Sequence, residues 1–330
     1  MADHLPIVDV SALFGDDKRA SHRVAQAIGA ACRNHGFFYA LGHGIDVRLI
    51  EKLDGASREF FSLPESEKLE IAMKHGGRAW RGYFPLGNEL TSGKPDWKEG
   101  VYFGSELGYD DVRVQKGLPL HGPNIFPSRP KELRRAVTEY MDAATRAAHA
   151  IASGIALSLD LDAGYFWRHY TANPTVLFRI FNYPPPPSGF EGWGVGEHTD
   201  YGFLTILAQD DAGGLEVKAP GGWIDAPPIS GTVVCNIGDM LDRLTGGYYK
   251  STPHRARNAS GRARLSFPFF FDPGFDAEIR PLPKHSRYVV EDRETRWDNA
   301  SVHDFSGTYG DYLLAKVSKV FPGLRRDVID

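Results

Sequence analysis

The sequence is poor in cysteine: its 330 residues contain only two, Cys32 and Cys235, far apart along the chain. Two distant cysteines cannot build the disulfide framework of a small secreted protein, nor the thiolate ligand set of a structural zinc site. The first ten residues also lack the basic stretch and apolar run of a secretory signal. We therefore expect a chain that works in the reducing environment of the cytoplasm.

Long apolar runs and an excess of basic charge are also missing. No stretch contains the roughly 20 consecutive apolar residues that a membrane-spanning helix needs. Lysine and arginine number 38 against 42 aspartates and glutamates, which gives a formal net charge of −4. Nothing therefore indicates a nucleic-acid or anionic-membrane partner, and the unpatterned acidic surface favours a monomer.

The spacing of apolar residues changes from helical to alternating near residue 170. Before this point we predict helices and short strands, the helices over 17–34, 47–61 and 131–159 and the strands over 5–10 and 37–41. The stretch 76–108 is rich in glycine and aromatic residues, and we expect a loop there with one strand near 100–103. Beyond residue 170 we predict short strands between Gly, Pro and Asp clusters, over 176–183, 204–208, 214–218, 222–225, 232–237 and 264–271.

This pattern predicts a mixed α+β chain in three parts. The first is an α-rich N-terminal region over 1–170, and the second is a β core over 171–280. The third, over 281–330, carries a last helix at 309–320 that we expect to pack outside the core. Several short antiparallel strands at such spacing are typical of a sandwich or a jelly-roll barrel.

Two histidines and one carboxylate stand out in the β core. Residues two apart in a strand face the same side, so we predict that His198 and Asp200 present two ligands to one metal ion. His254 is too distant for local geometry and must come from a neighbouring strand. Two imidazoles and a carboxylate form the facial triad of non-haem Fe(II) sites, which leaves one face of the metal open. Zinc with a bound water uses the same ligands, so the triad alone does not identify the metal.

Arg264 and Ser266 share one face of a predicted strand that follows His254. An arginine pointing into a barrel is costly unless an anion meets it. That anion is either a small carboxylate ligand, held by the guanidinium and the hydroxyl, or a carboxylate of the protein itself.

The run 177–273 closely resembles the 2-oxoglutarate/Fe(II)-dependent dioxygenases of the isopenicillin N synthase-like family. The matching pieces are Asn182-Tyr183-Pro184, His198-Thr199-Asp200-Tyr201-Gly202, Asn236-Ile237-Gly238-Asp239-Met240, Ser251-Thr252-Pro253-His254-Arg255 and Arg264-Leu265-Ser266. The N-terminal half fits as well, in Leu5-Pro6-Ile7-Val8-Asp9 and Gly36-Phe37-Phe38-Tyr39. The resemblance implies a mainly β core, a double-stranded β-helix (jelly roll), with an α-rich N-terminal region and a C-terminal helix.

The resemblance also implies an activity and a role for each motif residue. His198, Asp200 and His254 would hold Fe(II). The co-substrate 2-oxoglutarate would place its C5 carboxylate on Arg264, with Ser266 and Tyr183 as further hydrogen-bond donors. With O2 as the other co-substrate, the enzyme would hydroxylate, desaturate or otherwise oxidise a small molecule and release succinate and CO2.

The substrate wall is predicted from strand parity and from related plant enzymes. Tyr102, Arg179 and Phe270 are expected against the substrate, and Arg179 would suit a substrate that carries a carboxylate or another anion. The alternative is that Arg179 pairs with a protein carboxylate, and the sequence leaves both open. The segment 81–103 and the C-terminal segment around Tyr309 are the expected lids.

Several alternatives stay open in the sequence. Isopenicillin N synthase itself, and the oxidase that makes ethylene from a cyclopropane amino acid, share the Arg-x-Ser pair without consuming 2-oxoglutarate. An ethylene-forming variant would break down 2-oxoglutarate itself. A metal- and keto-acid-binding module without turnover is disfavoured, because a pure binder does not need an open metal face. Around the site, Asn236 is expected to brace it and Asp239 to hold a turn, while His43, His121 and His169 are expected to be packed or surface residues.

Overall fold

The structure is a computed structural model that describes residues 4–91, 93–282, 293, 296 and 300–321. Its strands are β1 (Ile7–Asp9), β2 (Phe37–Leu41), β3 (Gly82–Phe84), β4 (Leu90–Thr91), β5 (Lys94–Pro95), β6 (Glu99–Gly104), β7 (Thr175–Tyr183), β8 (Val195–His198), β9 (Leu204–Gln209), β10 (Leu215–Ala219), β11 (Gly222–Asp225), β12 (Thr232–Ile237), β13 (His254–Ala256) and β14 (Arg264–Asp272). Its helices are α1 (Lys18–Asn34), α2 (Val47–Phe61), α3 (Glu65–Lys68), α4 (Val112–Gln115), α5 (Glu132–Ser158), α6 (Asp239–Leu244) and α7 (Tyr309–Val320).

Two sheets build the core. The larger has eight strands in the order β1-β2-β12-β9-β14-β7-β6-β3, and the smaller has four in the order β11-β10-β13-β8. Apart from the parallel pair β1–β2, the neighbouring strands run antiparallel. One pocket is lined by residues of both sheets. This is the jelly-roll arrangement predicted for the core.

The outer face of the large sheet is covered by helices. Many of the buried positions of α5 are alanines, whose small side chains let it pack closely on α1 and α2 and on strands β9 and β14. Tyr140 of α5 lies on Phe178 of β7, with ring centroids 5.1 Å apart, and His149 meets Phe271 of β14 edge-on at 4.7 Å. Side chains alternate along a strand, so the neighbours of Phe178 and Phe271 face inward, toward the small sheet.

Local sequence signals explain where the helices begin. The Asp17 carboxylate accepts hydrogen bonds from the backbone N–H groups of Arg19 and Ala20, which caps α1. In α7, Thr308 and Asp311 form a reciprocal capping box. The predicted helices over 17–34, 47–61, 131–159 and 309–320 agree with α1, α2, α5 and α7 within one residue at each end.

Other predictions were less accurate. The stretch 76–108 contains the four short strands β3 to β6, where we predicted one. These strands are only two to six residues long, and β3 and β6 are rich in glycine and aromatics, so they carry no clear alternation. Helix α6 was predicted only as a turn. The three-part division stays a prediction. Strands β1, β2, β3 and β6, from the first 170 residues, belong to the large sheet together with strands of the β core. None of the described helices combines the length and apolarity that a membrane span requires.

Candidate active site

The end of β8 and the start of β13 bring the two predicted histidines together. His198 is the last residue of β8, His254 is the first of β13, and the two are paired in the antiparallel ladder. Their ring centroids lie 4.2 Å apart. We predicted that Asp200 shares a strand with His198 and faces the same side because the two are two residues apart. That reason was wrong. Asp200 lies beyond the end of β8, in the loop that follows it and just before a bend at 201–203.

The loop nevertheless places the Asp200 carboxylate close to both imidazoles. Its Oδ1 lies 3.8 Å from Nε2 of His198 and 3.7 Å from Nε2 of His254. One ligand atom from each of the three residues lies within 4.8 Å of the others. Among the described residues, this is the only cluster of histidine, cysteine and acidic side chains with that spacing.

Asp200 is held by its neighbours so that one oxygen stays available. Its Oδ2 accepts hydrogen bonds from Thr205 Oγ1 at 2.6 Å and from Asn236 Nδ2 at 2.7 Å, in agreement with the bracing role predicted for Asn236. Burial alone would raise the pKa of Asp200, but the two imidazoles and these hydrogen bonds outweigh burial and lower it. The carboxylate is therefore ionised, and its Oδ1 faces the histidines.

Both histidines present their Nε2 atoms as ligands. Nδ1 of His198 lies 2.8 Å from the Gly196 carbonyl oxygen, and Nδ1 of His254 lies 3.2 Å from that of Thr252. A carbonyl only accepts, so each Nδ1 carries the proton and each Nε2 keeps its lone pair. Burial and the neighbouring His198 lower the pKa of His254, which keeps this imidazole neutral. A metal ion needs its ligands in this state.

The predicted carboxylate clamp lies on the inner face of β7 and β14. Arg264 is 1% exposed and pairs across the sheet with Tyr183, and its guanidinium carbon lies 4.6 Å from the centre of the Tyr183 ring. The Tyr183 hydroxyl lies 3.3 Å from Ser266 Oγ. Three donor groups thus meet in the same pocket as the histidine–aspartate cluster.

Arg264 is only partly satisfied by the protein. Its Nε donates to the carbonyl of Gly213, but Nη1 is buried and has no hydrogen-bond partner. In the described part of the chain, Arg264 forms no ion pair with a carboxylate, which was the alternative left open by the sequence. A buried guanidinium nitrogen without a partner is costly. The site therefore suits an anionic ligand.

The residues of the predicted substrate wall are brought together in the same pocket. Tyr102 of β6 pairs with Arg179 of β7, whose guanidinium carbon lies 3.5 Å from the Tyr102 ring centre and 5.3 Å from that of Phe270. Within the described residues, Arg179 has no carboxylate within salt-bridge distance. The Glu89 carboxylate, which also lines the pocket, instead binds the Tyr102 hydroxyl at 2.6 Å and the Lys98 ammonium at 2.9 Å.

Sequence reasoning missed the residues that α7 adds to the pocket. Leu313, Val317 and Val320 of this helix, together with Phe321, line the pocket. We predicted the helix at 309–320 but placed it outside the core, because the pattern of one segment does not show what its apolar side chains cover. Both predicted lids, 81–103 and the segment around Tyr309, therefore supply pocket residues.

A second missed residue is the buried carboxyl group of Asp272, at the end of β14. It accepts hydrogen bonds from the Phe203 amide at 3.0 Å and the Tyr309 hydroxyl at 2.5 Å. A Cβ on Gly202 would lie 1.4 Å from Asp272 Oδ1, so only glycine allows this close approach. Burial raises the pKa of Asp272 to about 7, and its two donors offset this only in part. Strand parity from Arg264 could have indicated its inward direction.

We expect Asp272→Asn to change how stability depends on pH. The pKa of Asp272 is about 7 in the folded protein against 3.8 ordinarily, so the folded state holds the proton over this range and the unfolded state does not. Stability from this group is full below pH 3.8 and is lost as pH rises toward 7. Between pH 5 and pH 8 the wild type should lose roughly 2–3 kcal/mol relative to the variant. Urea unfolding of both apo-proteins at the two pH values measures this, and parallel pH profiles would contradict it.

The remaining predicted histidines lie elsewhere. His43 is buried, His121 packs edge-on against Phe275, and His169 lies against Tyr165. As expected, none of them joins the metal cluster.

Two family models match the chain. Residues 5–129 match the N-terminal region described as that of a non-haem dioxygenase in morphine synthesis, and residues 173–273 match the 2OG-Fe(II) oxygenase superfamily. The second match contains the histidine–aspartate cluster and the Arg264 clamp.

Curated relatives extend over almost the whole chain. A Dictyostelium discoideum protein named "Probable iron/ascorbate oxidoreductase" is 47% identical, covering 99% of this chain and 97% of the relative. The 1-aminocyclopropane-1-carboxylate oxidase of Dictyostelium mucoroides is 39% identical, covering 97% and 96%. A homoarginine-6-hydroxylase of Arabidopsis thaliana is 38% identical, covering 96% and 97%.

A solved structure shares the fold. A full-length Neurospora crassa protein, crystallised in complex with alpha-KG and thymine, superposes with a TM-score of 0.78 at 28% identity, covering 96% of each chain. Alpha-KG is 2-oxoglutarate, the co-substrate implied by the sequence.

Proposed function

The chain belongs to the 2OG-Fe(II) oxygenase superfamily and is a 2-oxoglutarate-dependent non-haem Fe(II) dioxygenase, and we propose that the pocket between its two sheets is the active site. In this proposal His198, Asp200 and His254 hold Fe(II). Arg264, Ser266 and Tyr183 hold the distal carboxylate of 2-oxoglutarate.

The donor set fits this metal. Two imidazoles and one carboxylate, with room on the pocket side, are the ligands of an open Fe(II) site. When bound, Fe(II) with O2 supplies the redox chemistry that converts 2-oxoglutarate to succinate and CO2 and oxidises the substrate.

The observation that carries the co-substrate assignment is the unpaired Nη1 of Arg264. A carboxylate placed there would gain a charge-assisted hydrogen bond in a buried setting, and the Ser266 and Tyr183 hydroxyls would complete its coordination. The surrounding apolar side chains exclude water, which strengthens this contact and limits side reactions. The protein thus positions the co-substrate and keeps the pocket dry.

We further propose that the substrate is a small amino acid. Two of the relatives are named for amino acids, homoarginine and 1-aminocyclopropane-1-carboxylate. Arg179 offers a guanidinium without a carboxylate partner among the described residues, and this suits the substrate carboxylate. The Glu89 carboxylate on the same wall suits a substrate cation. Burial acts to raise the pKa of Glu89, but Lys98 and Arg179 outweigh it and lower the pKa, so the group is ionised.

We expect Arg179→Met to raise the KM for an amino-acid substrate about tenfold to a hundredfold. Methionine keeps the apolar stem on the Tyr102 ring but removes the charge, and a hydrogen bond to a charged group contributes about 1.5–3 kcal/mol. Succinate release is first screened with homoarginine and other amino acids, and the variant is then assayed with the compound that stimulates it. Arg135→Met on the exposed face of α5 is the matched control. An unchanged KM in Arg179→Met would show that Arg179 does not anchor the substrate.

The remaining assignments are also proposals. The acidic, unpatterned surface supports a monomer, and the scarcity of cysteine supports a cytoplasmic location. Light scattering after size-exclusion chromatography tests the monomer directly.

A further inference from the structure

Helix α6 lies directly behind the proposed iron ligands and is bonded to both ligand segments. The backbone N–H of Asp239 donates to the carbonyl oxygen of Asp200 at 2.8 Å. The Asp242 carboxylate accepts from the backbone N–H of Ser251 at 2.9 Å, three residues before His254. A displacement of α6 would therefore move both the segment that carries Asp200 and the segment that leads to His254.

We predicted that the Asp239 side chain holds the local turn, and this prediction was wrong. Its carboxylate is fully buried and accepts from the Tyr312 hydroxyl at 2.7 Å and from Arg296 Nη1 at 2.7 Å. Arg296 Nη1 also lies 3.4 Å from the hydroxyl of Thr199, the residue between the two ligands of the first motif. The partners of Asp239 thus come from the C-terminal part of the chain.

Tyr312 belongs to α7, which forms a wall of the substrate pocket. The next residue, Leu313, lines that pocket, as does Val317 one turn further on. A continuous path of contacts therefore runs from the pocket wall through the Tyr312 hydroxyl and Asp239 to the backbone of Asp200.

We propose that Asp239 is a positioning residue that couples the placement of α7 to the metal ligand Asp200. A buried carboxylate must keep its hydrogen-bond partners, so it settles where Tyr312 and Arg296 hold it. Its own backbone N–H then fixes the carbonyl of Asp200 and the direction of the ligand side chain. Metal affinity consequently depends on a hydroxyl of the C-terminal helix, which contacts no ligand. This inference rests on the proposed iron site.

The test is Tyr312→Phe, which removes only that hydroxyl. We expect anaerobic titration with Fe(II) alone to show metal binding weakened several-fold and up to about tenfold, the lower end of what loss of an outer-sphere partner costs. The matched control is Tyr83→Phe. Its hydroxyl donates at 2.6 Å to Glu99, a buried carboxylate paired with Lys68, and it lies outside the pocket. Both variants lose a buried hydrogen bond, but only Tyr312→Phe should lose metal affinity.

The outcomes separate this inference from the proposed function. If wild-type protein binds Fe(II) and Tyr312→Phe binds it as tightly, or if Tyr83→Phe weakens binding equally, the coupling through Asp239 is wrong. If wild-type protein binds no Fe(II), the proposed function itself fails. Asp239→Asn serves as a second variant, and its effect on metal affinity should be at least as large as that of Tyr312→Phe. Melting temperatures of all variants show that the compared proteins are folded.

Discussion

We expect Asp200→Ala to abolish measurable Fe(II) binding and 2-oxoglutarate turnover, an effect larger than the roughly 10–100-fold that loss of an outer-sphere partner costs. Asp200 is the only carboxylate of the cluster, and its Oδ1 lies 3.8 Å and 3.7 Å from the two imidazole Nε2 atoms. The variant leaves the histidines in place but removes the negative charge that balances the metal. It also leaves the donors Thr205 and Asn236 without their acceptor. Anaerobic Fe(II) titration and succinate release measure the two effects.

The control for this prediction is Asp225→Ala, on the exposed end of β11 in the small sheet. This variant removes an aspartate from the small sheet, to which β8 also belongs, without changing the cluster. Metal affinity should be unchanged in Asp225→Ala. Wild-type Fe(II) affinity in a folded Asp200→Ala protein would place the iron site elsewhere.

Arg264→Leu is expected to raise the dissociation constant of 2-oxoglutarate roughly a hundredfold or more. Breaking a buried charge pair by removing one partner costs about 3–5 kcal/mol, and about 1.4 kcal/mol corresponds to a factor of ten. Leucine keeps much of the packing on Tyr183 but offers no donor. Fe(II) affinity in the absence of 2-oxoglutarate should stay at the wild-type value, because Arg264 does not touch the metal ligands.

Arg264→Lys is the informative companion variant. It keeps the positive charge but loses the planar fork of donors, so its 2-oxoglutarate affinity should fall between those of wild type and Arg264→Leu. Equal 2-oxoglutarate affinity in all three proteins would contradict the clamp. That result would mean that the distal carboxylate of 2-oxoglutarate binds at another place.

Short motifs made the chemical groups of the site predictable. Arg264 and Ser266 could be predicted to share one face of a strand, because residue type and strand parity are local properties, whereas the role of His254 came from the resemblance to the dioxygenase family. Parity failed for Asp200, because β8 ends at His198 and the ligand lies in the loop beyond it. The Asp200 carboxylate is held there by hydrogen bonds from Thr205 and Asn236, which come from other strands.

The rest of the site depends on contacts between distant parts of the chain. The sequence predicted helix α7 but not the pocket that its apolar side chains line. Asp239 was predicted to hold a local turn, since Gly-Asp after a strand is a common turn signal. Its partners Tyr312 and Arg296 lie far along the chain, and no local pattern indicates them.

The most direct test mixes the apo-protein with Fe(II) and 2-oxoglutarate in the absence of oxygen and records the visible spectrum. Chelation of Fe(II) by the keto acid gives a metal-to-ligand charge-transfer band. We predict that this band appears in wild type, is absent in His198→Ala, and needs far more 2-oxoglutarate in Arg264→Leu. A wild-type protein that binds Fe(II) but gives no band at saturating 2-oxoglutarate would contradict the account.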